Sequence, residues 1–206
     1  MRTIAIWSAL MSYAITLAVV VAGGAAYPGY DHVGQYISEL GATGAPHARL
    51  VGWGGFVGAG LLLTVYAIAA WLALPRSTAG TIGFALMVLF ALGLLFGGVY
   101  PCDVRCGSET PSPSQRMHDL WGGAGYLTAP LMLVLLGVAA KRWPGGGFLF
   151  PLGLVSAAVT AVAFVVMVEA GEYRGLAQRI LEVAVAAWVM GSLVALRRRP
   201  AATSAA

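Results

Sequence analysis

Charge is scarce in this chain. Of its 206 residues only 10% are charged and 59% are hydrophobic, and the mean hydropathy is +0.82. A soluble domain carries roughly 25% charged residues, and a fold surrounded by water could not cover itself with so few. The sequence therefore reads as an integral membrane protein. Other absences narrow the field further. The alternation of a membrane β-barrel is missing. No basic patch is interleaved with stacking aromatics, so the pI of 9.3 does not mark a nucleic-acid surface. No glycine loop is built to cradle phosphates, and no C-x-x-C-H or pair of facing mid-membrane histidines suits haem, so neither nucleotide nor haem is expected. H-E-x-x-H and G-x-S-x-G are both absent.

What is present is six long apolar runs, at 4–27, 50–74, 80–100, 118–140, 148–168 and 176–196. Each approaches the roughly 20 residues that cross a hydrocarbon core of about 30 Å. Helices are the expected solution, because backbone polar groups in lipid must be satisfied within the segment. The first run is too long for a signal peptide and ends in Tyr-Pro rather than at a small-residue cleavage site. The 28 glycines fit helices that approach closely in lipid. The expected fold is an all-α membrane protein with six transmembrane helices in three hairpins. It forms a single domain over 1–199, with a disordered tail at 200–206. Tyr-Pro recurs after the first and third runs, in "YPGYD" and "YPCD", where proline stops the helix and tyrosine suits the interface.

The charges are distributed unevenly. Arg2, Arg76, Lys141, Arg142, Arg197, Arg198 and Arg199 fall at one end of the bundle, without an acid among them. The other end holds Arg49, Arg105, Arg116, Arg174 and Arg179, all three histidines, and all eight acids: Asp31, Glu39, Asp103, Glu109, Asp119, Glu169, Glu172 and Glu182. The positive-inside rule puts both termini in the cytoplasm and the acidic end outside the plasma membrane.

The densest polar stretch, "YPGYDHVGQYISELGATGAPH", lies at that outer end. Asp31 suits a helix N-cap and Gly41 a left-handed C-terminal residue. On one helix Asp31, His32, Gln35, Ser38 and Glu39 would share a face opposite Val33, Ile37 and Leu40. A short amphipathic outer helix is expected after the first span, its polar side facing either water or the mouth of the bundle. In the second case Asp31, Ser38 and Glu39 are candidates for catalysis, and Gln35 for ligand binding.

Two further clusters share that end. Cys102 and Cys106, the two cysteines of the chain, would form a disulfide on an oxidising face. With a histidine the pair could instead bind a soft metal, and free thiols are the third option. His118 and Asp119 open the fourth run, where Asp favours the helix dipole and His gains nothing from it. In the sixth run Gln178 and Arg179 precede Glu182, an intramembrane carboxylate that by default suggests function. Arg179 is its expected partner, one turn away.

Through "YPGYDHVGQYISELGATGAP", "YPCD", "MHD" and "GLAQRILE" the sequence resembles a bacterial and archaeal multi-pass family known as domain of unknown function 998. The blocks Tyr36–Gly41 and Gly175–Arg179 carry the resemblance most specifically. It implies a membrane topology and no established reaction. The positions matching the motifs are Asp31, Gln35, Ser38, Glu39, Asp103, His118, Gln178 and Arg179.

Three functions are compatible with this pattern. The first is an outer pocket, with Gln35, Gln178, Arg179 and Glu182, that binds a lipid headgroup or small amphiphile. The second is a hydrolase acting on a lipid-like substrate, with His32, Asp103 and His118 holding a divalent metal and Glu39 or Asp31 as base. The third is an accessory subunit that docks another membrane protein. Little polar lies on the second and third spans beyond Thr64 and Tyr66, which argues against an ion conduit.

Overall fold

A computed structural model describes residues 1–169 and 171–198. The expected tail at 200–206, together with Arg199, lies outside the described residues. Six helices are long and apolar enough to cross a membrane: α1 (Arg2–Ala26), α2 (Leu50–Ala73), α3 (Thr78–Val99), α4 (Pro113–Ala140), α5 (Leu149–Glu169) and α6 (Arg174–Arg197). No strand occurs among the described residues. Each helix packs on the next in sequence, α3 on α4 as well as α1 on α2, and α1 also touches α6. The arrangement is therefore a ring of antiparallel neighbours, and three separate hairpins cannot be distinguished in it.

Short residues set the close approaches. A Cβ on Gly60 of α2 would lie 2.6 Å from the Leu95 nitrogen of α3, so only glycine lets these backbones meet. Ser77 caps α3 by accepting from the Gly80 N–H at 3.1 Å, and Ser112 caps α4 by accepting from Gln115 at the same distance. Pro113 takes the first position of α4, where no N–H is needed. The fourth helix thus starts at Pro113, and His118 stands more than a turn inside it rather than opening it.

At the end where α1 begins and α6 finishes, the tail end, buried aromatic rings pack together. Trp143 stacks on Phe84 at 5.9 Å and meets Trp188 edge-on at 6.0 Å. Both indoles are satisfied, Trp188 by the Leu149 carbonyl and Trp143 by that of Pro75. At the opposite end, the cap end, α1 and α2 widen into π-helix at Val19–Gly23 and Leu50–Val57. These wider turns surround a small apolar cluster of Ile37, Leu40, Val51 and Phe56, which seats the segment between the two helices.

Candidate functional site

The cap segment is not one amphipathic helix. Asp31 turns its carboxylate onto the backbone N–H groups of Val33 and Gly34, each at 2.9 Å, closing a tight turn. Those two bonds hold its pKa below the usual carboxylate value. Tyr36 is extended, and only Ile37–Gly41 winds into a 3-10 helix. Gly41 is not left-handed; Gly29 and Gly44 take that role in this segment. Asp31 does make the capping contacts expected of it, and Gln35 N–H bonds its carbonyl at 2.8 Å, but the chain leaves helical conformation at Tyr36 after that single turn.

Glu39 is almost fully buried, at 1% exposure. Its carboxylate accepts from Tyr36 N–H at 3.0 Å and from Gln35 Nε2 at 2.8 Å, and pairs with Arg174 at 3.4 Å. Arg174 also donates to the Gly34 carbonyl and lies over the Tyr36 ring. One helical turn on, Arg179 donates to the Gln35 carbonyl at 2.9 Å and to the Tyr30 hydroxyl at 2.7 Å, with His32 Nδ1 at 3.1 Å. The Leu176 N–H, free at the start of α6, is taken by the Val33 carbonyl. A Cβ on Gly175 would collide with the Gln35 carbonyl oxygen, so glycine is what lets the cap lie flat on α6. Together these contacts clamp the cap to the first turns of α6. Burial raises the pKa of Tyr30 and Tyr36 within this clamp, which keeps their hydroxyls protonated and donating to the Tyr36 and Met167 carbonyls.

Gln178 joins the clamp to the interior. Its carbonyl oxygen accepts from Ile37 N–H at 2.6 Å, and its amide donates to the Tyr126 hydroxyl at 2.9 Å. Tyr126 in turn donates to Glu182 at 2.8 Å. Arg179 and Glu182 therefore do not pair. The Gln35 carbonyl and the Tyr30 hydroxyl of the cap draw the guanidinium outward, while Glu182 lines the interior chamber, and Arg174–Glu39 is the one ion pair among the described residues.

Beneath the cap Gln178, Tyr126 and Glu182, but not the expected Gln35 and Arg179, line a chamber of about 60 Å³ with Ser38, His118 and Thr16, walled by Phe56, Phe90 and Leu94. A second hollow of about 240 Å³ shares Ser38, His118, Gly122, Tyr126 and Gln178 with it. This hollow is bounded on α5 by Phe164, Met167 and Val168. Side chains on Gly122 and Gly123 would meet nothing within 4 Å, so the gap between α4 and α5 stays open. His118 Nδ1 lies 2.9 Å from the Tyr100 carbonyl. A carbonyl can only accept, so Nδ1 carries a proton, and in the neutral ring Nε2 is the nitrogen with the lone pair.

The expected metal ligands His32, Asp103 and His118 do not gather. His32 sits exposed beside Arg179. Asp103 closes its own loop by accepting from Ser112 N–H at 3.0 Å, which lowers its pKa. Of the expected catalytic set, Ser38 reaches the chamber, while Asp31 and Glu39 are engaged in the turn and the clamp. Cys102 and Cys106 are joined, S–S 1.95 Å.

The profile of the proteins of unknown function DUF998 matches residues 10–195. The chain belongs to the DUF998 family. No curated protein and no solved structure matches it. The Tyr36–Gly41 and Gly175–Arg179 blocks that suggested this family meet each other in the clamp. Sequence reasoning missed Arg174 and Tyr126 as members of the network. The signals were an arginine beside a glycine in "GEYRG" and a tyrosine inside an apolar run.

Proposed function

We propose that this DUF998 chain holds the polar end of an amphiphile in the chamber, with its tail leaving between α4 and α5 into the bilayer. The supporting observation is that chamber and hollow share five lining residues and the hollow is bounded on α5 by apolar side chains, of which Val168 is exposed. The chamber offers mainly acceptors. Tyr126 has committed its proton to Glu182 and Gln178 one of its two amide protons to Tyr126, which leaves the Glu182 carboxyl, His118 Nε2 and the Ser38 oxygen as acceptors against a single free Gln178 N–H. A headgroup rich in hydroxyl or amino donors fits this set, and a bare phosphate does not. At about 10–15 Å³ per water, the chamber accommodates only a few heavy atoms, which favours a small headgroup.

The cap end faces outward from the plasma membrane in this reading, as the Lys and Arg distribution favours. Labelling a Glu109→Cys variant on intact cells with a membrane-impermeant thiol reagent tests the orientation, and labelling only after lysis would reverse it. The amphiphile itself is tested by mass spectrometry of lipid extracted from purified protein. Gly122→Leu, whose Cβ meets nothing within 4 Å, should obstruct the hollow and remove the bound species while the protein stays monodisperse. Retention of the same lipid by that variant, or a bound lipid whose only headgroup is phosphate, would overturn the reading.

A further inference from the structure

We infer that Cys102, Cys106 and His118 form a soft-metal site that the disulfide closes and reduction opens. The two sulfurs and a His118 ring nitrogen lie within 4.8 Å of one another, near the spacing that a single ion with bonds of about 2.0–2.3 Å requires. Cys102 is fully buried, and Cys106 and His118 line the hollow between α4 and α5. The Tyr100 carbonyl on His118 Nδ1 fixes the ring and leaves Nε2 as the donor, the backbone-oriented arrangement typical of metal-binding histidine.

Contacts besides the S–S bond also hold this loop. Thr43 N–H bonds the Cys102 carbonyl at 2.9 Å, Asp103 N–H bonds Gln115 at 2.7 Å, and the Asp103 carboxylate holds Ser112. Ser38 Oγ packs 3.4 Å from Cys106 Sγ. Arg105 and Cys106 both take left-handed backbone, φ 59° and 49°, which folds the loop back so that both sulfurs face His118. Opened thiols would therefore remain neighbours. Two thiolates and an imidazole select thiophilic ions, Cu(I) or Zn(II).

The chemistry balances simply. A dithiol or phosphine reductant supplies two electrons, and two protons are taken up as the S–S bond becomes two thiols. Metal binding then releases both protons and forms two metal–sulfur bonds and one metal–nitrogen bond. In the oxidised state the sulfurs are bonded to each other and cannot act as thiolates, so disulfide and metal exclude one another.

The test uses the purified full chain, oxidised or reduced anaerobically with a phosphine, titrated separately with Cu(I) against a competing chelator and with Zn(II). Reduced protein should bind one ion of at least one kind, and oxidised protein none. His118→Ala should weaken binding by at least about tenfold, and Cys102→Ser with Cys106→Ser should abolish it. Should His118→Ala misfold, X-ray absorption on the reduced wild-type complex reads the ligands directly, and two sulfurs with one nitrogen are expected. Absence of binding by reduced protein, equal binding by oxidised protein, or a ligand set without sulfur would each refute the site.

Discussion

Replacing Glu39 with Gln isolates the charge at the centre of the clamp. The substitution keeps shape and one carbonyl oxygen, but it sets an NH2 group against either the Gln35 amide or the Tyr36 N–H and Arg174, all of which now donate to Glu39. A hydrogen bond to a charged group contributes about 1.5–3 kcal/mol. Removing one partner of a fully buried pair costs about 3–5 kcal/mol, but the Arg174 side chain is 31% exposed and water relieves part of that cost. The expected loss is about 2 kcal/mol, confined to the cap. Hydrogen exchange read by mass spectrometry should then show protection of Ile37–Gly41 falling about 30-fold, since each 1.4 kcal/mol is a factor of ten. Amides around the buried Met87 of α3 should be unchanged. Arg174→Gln should cost less, and the double variant should lose less than the sum of the two, because each removes the same contact. Protection that is unaffected, or that falls equally in cap and bundle, would refute the clamp.

Gly175→Ala should loosen the same amides by about 1–3 kcal/mol, because its methyl would meet the Gln35 carbonyl, and limited proteolysis within 31–41 is the simplest readout. The depressed pKa values of Asp31 and Asp103 set the acid response. Their contribution is fully present above the unfolded value of about 3.9 and is lost only as pH falls through the lower folded values. Cap protection should therefore stay level down to about pH 4, and a decline beginning near neutrality would contradict this. Tyr66→Phe, which breaks the 2.6 Å contact with Ser192, should cost only about 0.6 kcal/mol of thermal stability, since Ser192 retains the Val189 carbonyl.

The six helices were legible because lipid leaves so little choice: a run of apolar residues long enough to cross must be helical. The π-helical turns of α1 and α2 were not, since Val19–Gly23 and Leu50–Val57 are as apolar as the regular helix beside them. The cap was legible as a concentration of polar residues but not as a clamp. Glu39 and Arg174 are 135 positions apart, and no local spacing connects them. The neighbouring pair Arg179 and Glu182 misled for the opposite reason. Proximity along a helix suggested a bond that the Gln35 carbonyl and Tyr126 took instead. Of the chamber, Ser38, His118, Gln178 and Glu182 were visible as polar residues at one end. That they share a cavity with Tyr126 depends on how five helices and the cap meet.

The aromatic stack of Phe84, Trp143 and Trp188 has a consequence for traffic through the protein. With those rings packed together at one extremity, the proposed binding site is closed at its far end, and its amphiphile would depart through the same doorway by which it arrived. Carrying the proposed amphiphile to the opposite leaflet would require that stopper to be withdrawn, so the function proposed above is that of a receptacle rather than a passage.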